Sequence, residues 1–310
     1  MRDDTPIPAS TTPHANERLA VLFALSAVML WSTVATAFKL ALVQLAPADL
    51  LLRASAVSAA CFWIAAAMRG EWRLPRVAWP LALTMGLLNP VLYYLALFEG
   101  YARLPAQIAQ PLNYTWVLML AILAVPLLHQ PLRARTVAGL VVSYCGVLLV
   151  LSQGSFSAWP AWNGTGIVLI LASTLLWALY WIVARRADTI GIPLLAWSFT
   201  LALPALAAIV IWQGHAINAG DLRQLGLVVW IGLVEMGVTF LLWRRALALT
   251  RHTARIGQLV FLAPFLSLFL IGAILGESVT AWSVGGLAVI VLGILVAGAP
   301  DQTPESDSTA

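Results

Sequence analysis

The sequence predicts an all-α membrane protein with ten transmembrane helices, arranged as an inverted five-plus-five repeat with both termini cytoplasmic. The composition, the distribution of basic residues and a weak similarity between the two halves predict this fold. Of the 310 residues, 61% are hydrophobic and 10% are charged, whereas soluble domains carry about 25% charged residues. A helix needs about 20 apolar residues to cross the bilayer, so the chain has room for about ten crossings.

Long apolar runs between charged residues, prolines and glycines mark the ten predicted spans. They cover residues 19–40, 47–68, 77–98, 105–127, 136–152, 164–185, 192–212, 224–243, 256–275 and 280–298. The predicted organisation is a polar tail (1–18), a first five-helix repeat (19–152), a connecting loop (153–163), a second five-helix repeat (164–298) and an acidic tail (299–310).

Basic residues are distributed unequally between the two sides of these spans. With the N-terminus inside, thirteen of the 17 lie on the cytoplasmic side, and only Arg103 and Arg223 lie in outer loops. The remaining two, Lys39 and Arg53, lie within or near spans. Because Lys and Arg near span ends are retained in the cytoplasm during insertion, both termini are predicted to be cytoplasmic.

The two halves share short motifs at an offset of about 146 to 148 residues. Leu30-Trp31 in span 1 aligns with Leu176-Trp177 in span 6, and residues 106–110 (AQIAQ) in span 4 align with residues 254–258 (ARIGQ) in span 9. Five crossings are an odd number, so the second copy must lie upside down relative to the first. Inverted repeats of this kind are typical of secondary transporters, whose substrate sites lie near the bilayer midplane.

These features resemble the EamA-type, ten-helix branch of the drug/metabolite transporter (DMT) superfamily over nearly all of residues 19–298. The resemblance rests on Leu30-Trp31-Ser32-Thr33, on the alanine-rich starts of spans 4 and 9, on the region of Pro264 and on Leu275-Gly276-Glu277. Within that superfamily the chain most resembles aromatic-amino-acid exporters of the YddG type, through Leu95-Ala96-Leu97, Gly100-Tyr101-Ala102 and Asn113-Tyr114-Thr115-Trp116. One departure is Val117, because the resemblance leads us to expect a proline after Trp116.

The resemblance implies a central cavity lined mainly by helices 1, 3, 4, 6, 8 and 9. It implies a secondary transporter or facilitator that exports aromatic and other neutral amino acids across a bacterial inner membrane by alternating access, without ATP. An exporter of drugs or cationic metabolites is the alternative within the same superfamily. The implied partners are amino acids and the lipid bilayer, with no nucleic acid and no ATPase subunit. A monomer is favoured and an oligomer is left open.

Polar and aromatic residues that lie three, four or seven apart share one face of a helix, and such stripes occur within several spans. One of them combines Glu235, Thr239 and Trp243 in span 8. The candidate substrate-binding residues are Trp31, Tyr93, Tyr94, Gln110, Asn113, Tyr114, Trp116, Trp177, Tyr180, Trp181, Glu235 and Gln258. The alternative for the polar residues is hydrogen bonding between helices, and for Trp and Tyr it is the interfacial aromatic belt.

Glu235 is the acidic residue that the sequence places deep within a span. A charge at the bilayer centre costs about 2.5–3.5 kcal/mol, so this carboxyl is expected to face a cavity or a partner. Proton coupling, recognition of a substrate ammonium, and a neutral carboxyl packed against a neighbouring helix are the alternatives. Lys39 is expected to snorkel outward, and Arg53 to pair with Asp49 four residues away.

Other classes of protein find little support in the sequence. H-E-x-x-H, G-x-S-x-G and P-loop motifs are absent, and the four histidines lie in a tail, in loops or at span ends. No enzymatic activity, catalytic residue, metal or cofactor is therefore predicted. Cys61 and Cys145 lie in apolar runs and are predicted to be free, packed thiols. The motifs Gly139-x-x-x-Ser143 and Gly293-x-x-x-Ala297 permit close helix packing but do not by themselves assign a dimer interface.

Overall fold

The structure is a computed structural model that describes residues 16–129, 134–157, 160–184, 191–214, 222–250 and 253–298, without the side chains of residues 253–255 and 298. All regular elements in these ranges are helices. Nine helical stretches of the described chain are long and apolar enough to cross a membrane, and a shorter apolar helix follows them. Spans 1 to 10 are Glu17–Leu42, Pro47–Met68, Arg76–Arg103, Ala106–Leu128, Ala134–Ser152, Gly164–Ala184, Ile192–Trp212, Leu222–Leu249, Ile256–Leu275 and Ala281–Gly298. The predicted all-helical membrane fold is confirmed.

Spans 3 and 8 differ most from their predicted ends, because each continues as a helix through charged residues. Span 3 reaches Arg103, whose guanidinium pairs with Glu99 one turn earlier on the same helix. Span 8 continues through Arg244 and Arg245 to Leu249. We call the side where span 1 begins the inner side, which the basic residues predict to be cytoplasmic.

Several spans are interrupted near their middle, and the interruptions occur at similar places in the two halves. Span 3 contains a π-helical segment, Leu87–Leu92, in which Asn89 leaves helical geometry (φ −147°, ψ 113°). Span 8 contains a second π-helical segment, Ile231–Val238. The offset of 146 residues that relates the Trp31 and Trp177 motifs also relates Asn89 to Glu235. Because π-helical segments often occur at functional sites, Asn89 and Glu235 are candidates for such a site.

Spans 4 and 9 are also interrupted at corresponding places. The first helical part of span 4 ends at Asn113, and the second begins at Trp116 after a turn at Tyr114-Thr115. Span 9 tightens into a 3-10 turn over Leu259–Phe261. Span 4 therefore bends although Val117 stands where a proline was expected.

Spans 5 and 10 form a closely packed pair through their small residues. Ser143 Oγ donates a hydrogen bond to the Ile290 carbonyl at 3.0 Å. A Cβ added to Gly146 would lie 2.6 Å from the Gly286 carbonyl oxygen. The residues of both glycine motifs therefore pack against each other between spans 5 and 10 of the same chain.

Three further side chains bear on the sequence predictions. Arg53 and Asp49 form the predicted pair, with two N–O distances of 2.7 Å. Lys39 extends toward the outer end of span 3, where its Nζ donates to the Tyr101 and Leu104 carbonyls. Both cysteines are free, but Cys145 is exposed. The prediction that it is packed was wrong, because this face of span 5 points away from span 10.

Candidate substrate cavity

A cavity of about 880 Å³ lies in the centre of the bundle. Spans 1, 3, 4, 6, 8 and 9 line it, together with the inner ends of spans 5 and 10. Eleven aromatic side chains form much of its wall in the described part of the chain: Trp31, Phe38, Tyr93, Tyr101, Tyr114, Trp116, Trp177, Trp181, Phe240, Trp243 and Phe261.

The cavity reaches the inner side of the bundle and ends below the outer side. Its lining from spans 5, 9 and 10 comes from the inner ends of those helices and includes Thr136, Gln258 and Ala297. At the other end, the Phe38 ring packs against Phe98 and Tyr101, with centroid distances of 4.7 and 5.5 Å. These packed rings lie at the outer end of the cavity, whereas its lining reaches the inner ends of spans 5, 9 and 10, and we interpret this arrangement as inward-facing.

Trp177 belongs to a stack of three rings in the cavity wall. Its ring stacks on Tyr93 at 4.5 Å and on Tyr180 at 5.2 Å, with interplanar angles of 25° and 15°. Trp116 approaches the same indole edge-on, at 6.5 Å. Because neighbouring rings cover both of its faces, Trp177 is only 9% exposed. A substrate ring can reach its edge but not its face.

Glu235 brings a carboxyl group to the cavity from the π-helical segment of span 8. Tyr94 Oη donates a hydrogen bond to its Oε1 at 3.1 Å. Two glycines flank the carboxyl, and a Cβ on Gly232 would lie 2.6 Å from the Ala54 carbonyl oxygen of span 2. Ser58 of span 2 donates to the Gly232 carbonyl at 2.9 Å. Close packing on span 2 therefore holds the segment that carries Glu235.

Two asparagines near the tyrosine stack carry unsatisfied oxygen atoms. The side chain of Asn113 lies beside the Tyr93 hydroxyl, and that of Asn89 lies beside the Tyr180 hydroxyl. The Oδ1 atoms of both amides are buried and have no hydrogen-bond partner. Of the two, Asn113 lines the cavity. Since buried polar groups are normally paired, these two oxygens are exceptions within the packed wall, and both are shielded from the cavity itself.

The two glutamines that the repeat relates occupy different environments. Gln110 is buried, and its Oε1 accepts a hydrogen bond from Ser267 Oγ at 2.7 Å, which joins span 4 to span 9. Gln258 is exposed at the inner mouth of the cavity. The difference follows from inversion, because equivalent residues of inverted repeats lie at mirrored depths in the membrane.

The cavity brings together ten of the twelve candidate residues, which are Trp31, Tyr93, Gln110, Asn113, Tyr114, Trp116, Trp177, Trp181, Glu235 and Gln258. Tyr94 and Tyr180 are buried behind the wall and reach the cavity through Glu235 and Trp177. Their part in substrate binding stays a prediction. The candidate set omitted five aromatic lining residues: Phe38, Tyr101, Phe240, Trp243 and Phe261. Trp243 shares the predicted stripe with Glu235, a signal sufficient to include it.

No metal centre is apparent in the described ranges, where His, Cys, Asp and Glu form no group of three or more that could hold an ion. Glu235 is likewise the one acidic or basic side chain among the described lining residues. The chemistry of the cavity is therefore that of aromatic rings, neutral amides and a single carboxyl group.

Curated relatives of the chain are transporters. One is an aromatic amino acid exporter, YddG, of Ancylobacter novellus, 26% identical over 92% of this chain and 96% of that protein. Another is an uncharacterized transporter of Archaeoglobus fulgidus, 22% identical over 87% of this chain and 95% of the relative. The uncharacterized transporter YyaM of Bacillus subtilis is 25% identical over 61% of this chain, and the match spans 63% of that relative's length.

The fold and the repeat are matched independently. A solved crystal structure with 22% sequence identity superposes with a TM-score of 0.64, over 91% of this chain and 97% of that chain, and this likeness concerns the fold alone. The profile of the EamA-like transporter family matches twice, at residues 18–152 and 164–299. The chain is therefore a multi-pass membrane protein that belongs to the EamA-like transporter family of the DMT superfamily.

Proposed function

We propose that this transporter exports aromatic and other neutral amino acids across the cytoplasmic membrane by alternating access. The observation that carries the proposal is the inward-facing cavity, whose described wall combines eleven aromatic side chains with one carboxyl group. Its volume of about 880 Å³ is within the range of about 300–1,000 Å³ typical of small-molecule sites. Aromatic pairs add about 0.5–1.5 kcal/mol beyond burial, which favours a substrate that carries a ring.

The same geometry supports the proposed mechanism. The cavity is accessible from the side that the basic residues predict to be cytoplasmic, which is where an exporter takes up its substrate. Interruptions recur at related places in spans 3 and 8 and in spans 4 and 9. Two inverted halves of this kind exchange roles by rocking about a central site. The described lining of the cavity comes from one chain, so the proposed functional unit is a monomer. The proposed transport involves no chemical conversion of the substrate.

Export of cationic aromatic metabolites or drugs is the second candidate. It is favoured by Glu235, which lies in a cavity that Trp31 and Phe240 also line. A carboxylate and aromatic faces both attract a cation, the latter through cation–π interactions of about 0.5–2 kcal/mol.

Counterflow uptake of labelled phenylalanine by proteoliposomes tests the proposal. Unlabelled phenylalanine and threonine should both suppress uptake, whereas a sugar should not. Proteoliposomes carrying Trp116→Ala should retain little phenylalanine uptake. Trp212→Ala serves as the matched control, because Trp212 is 86% exposed at the end of span 7. If folded protein takes up no phenylalanine but takes up tetraphenylphosphonium faster than protein-free liposomes, which this lipophilic cation enters unaided, the amino-acid proposal is wrong and the cation exporter replaces it.

A further inference from the structure

A neutral amino acid carries an ammonium and a carboxylate group, and the described cavity wall offers a charged partner to the ammonium alone. Its described lining contains Glu235 but no Lys, Arg or His. An ammonium group has three donors and no acceptor, whereas a carboxylate accepts only. The one charged group of the described wall is therefore matched to the ammonium, whereas the unpaired atoms of lining residues are of both kinds, the Asn113 Oδ1 acceptor and the Trp181 Nε1 donor. The inference drawn from this asymmetry rests on the proposed function, and it specifies which group of the substrate the site recognises.

Glu235 supplies the charged acceptor of the wall. It uses Oε1 to accept from Tyr94, and no protein donor is placed on its Oε2 in the described residues. The Asn113 side chain lies beside the Tyr93 hydroxyl, and its Oδ1 is shielded from the cavity. Tyr93 and Tyr94 are adjacent in the chain, with their rings 4.6 Å apart. Glu235 Oε2 is therefore the acceptor that remains for a substrate ammonium.

The described basic groups nearest the outer end of the cavity are already engaged elsewhere. Lys39 Nζ donates to the Tyr101 and Leu104 carbonyls at 2.9 Å each, behind the aromatic layer that closes the cavity. Arg103 pairs with Glu99, and Arg53 pairs with Asp49. None of the three lines the cavity. The side chain of Arg255, two residues before the lining residue Gly257 in the chain, lies outside the described residues.

We infer that the site recognises its substrates through the ammonium group, held by Glu235, and that its described lining provides no charged partner for the carboxylate. Aromatic primary amines that lack a carboxylate are therefore ligands of the same site. Aromatic acids that lack the amino group are not. The ring of either ligand occupies the aromatic part of the cavity next to Trp116.

Equilibrium binding to the purified protein in detergent tests this inference, because a neutral amine crosses liposome membranes unaided. The probes are phenylalanine, 2-phenylethylamine and 3-phenylpropanoate, which share one ring and differ in their charged groups. We expect 2-phenylethylamine to bind within about tenfold of phenylalanine and 3-phenylpropanoate to bind at least about a hundredfold more weakly, since a site built around a polar group rejects analogues lacking it. Equal binding of the acid and the amine overturns the inference.

Two variants separate recognition from folding. Glu235→Gln keeps the shape of the side chain and removes its charge, so the preference for amine over acid should fall by about tenfold or more. Glu71→Gln, in the exposed loop between spans 2 and 3, is the matched charge control and should change neither affinity. Unchanged amine preference in folded Glu235→Gln also overturns the inference.

The outcomes distinguish this inference from the proposed function. Binding of 2-phenylethylamine without binding of phenylalanine contradicts the amino-acid proposal and leaves ammonium recognition in place. Binding of phenylalanine with equal competition by the acid supports the amino-acid proposal and contradicts ammonium recognition. Absence of binding by all three probes to folded protein contradicts both.

Discussion

Lys39 and Glu277 hold opposite sides of the turn that joins spans 3 and 4. Lys39 donates to the Tyr101 and Leu104 carbonyls at the end of span 3. The two oxygens of Glu277 accept from the backbone amides of Ala106 and Gln107 at 2.9 and 3.0 Å, at the start of span 4. A cation at a helix C-terminus and an anion at a helix N-terminus both complement the helix dipole. Span 1 and the loop after span 9 thereby fix the outer end of the cavity in its closed position.

Removal of the Glu277 carboxylate should loosen this closed end. We expect Glu277→Ala to cost about 0.5–2 kcal/mol, as for other lost N-terminal caps, and to raise the population of outward-open protein. A cysteine introduced by Tyr101→Cys, with Cys61 and Cys145 replaced by serine, should react faster with a membrane-impermeant maleimide applied from outside. Glu71→Ala, in an inner loop, is the control. Equal labelling rates in both backgrounds would show that Glu277 does not hold the outer end closed.

Amine binding should depend on pH through Glu235. Protonation of this carboxyl removes the negative charge that faces the ammonium, so affinity for 2-phenylethylamine, which stays protonated, should decrease as the medium is acidified. The groups facing Glu235 are the Tyr94 hydroxyl, bonded to it, and the lining tyrosines Tyr93, Tyr101 and Tyr114. Glu235→Gln should give a flat profile under the same acidification. A parallel decline in parent and variant would assign the pH dependence to another group.

Most of the fold could be predicted because apolar length and the distribution of basic residues determine where a chain crosses a bilayer. The predicted end of span 3 was too early because Glu99 ends the apolar run, while the pair with Arg103 lets the helix continue. The break at Asn89 directly precedes Pro90, and proline disfavours helical geometry in the residue before it, so the sequence carried a signal for this break. The break at Tyr114-Thr115 has no adjacent proline and could not be located in the same way.

Helical stripes identified much of the cavity wall but not the orientation of its rings. Trp177 and Tyr180 lie three residues apart, so their proximity was predictable from span 6 alone. The second face of Trp177 is covered by Tyr93, which comes from span 3. The burial of Tyr94 behind Glu235 of span 8 could not be predicted for the same reason, because that contact joins two distant spans. Contacts between distant spans determine which of these side chains a substrate can touch.

Replacement of Trp116 should affect aromatic substrates selectively. Trp116 lines the cavity and is partly exposed, so its ring is available to a substrate. Loss of an aromatic pair worth about 0.5–1.5 kcal/mol should lower affinity for phenylalanine by about two- to thirteenfold and leave affinity for threonine nearly unchanged. Binding of both amino acids to Trp116→Ala, with Trp212→Ala as control, provides the measurement. Equal losses for the two would rule out a ring-specific contact.

Replacement of Trp177 should act mainly on stability. Trp→Ala substitutions at buried sites cost about 3–5 kcal/mol, and this one also removes the stacks with Tyr93 and Tyr180. We expect Trp177→Ala to lower the thermal unfolding midpoint clearly, whereas Trp116→Ala lowers it little. Trp177→Phe, which keeps a ring between the two tyrosines, should recover much of the loss. Similar midpoints for Trp177→Ala and Trp116→Ala would contradict a supporting role for the Trp177 ring.

The contact between spans 5 and 10 should tolerate no side chain at Gly146. A Cβ there would lie 2.6 Å from the Gly286 carbonyl oxygen and 2.7 Å from the Ile290 amide nitrogen. Because both obstacles are backbone atoms, Gly146→Ala must push the helices apart, at a cost of about 1–3 kcal/mol for an overpacked site. Gly285→Ala is the matched control, since a Cβ at Gly285 meets no atom within 4 Å. Thermal unfolding of the two variants in detergent should show a lowered midpoint for Gly146→Ala alone, and equal midpoints would mean that the two helices are not packed this closely.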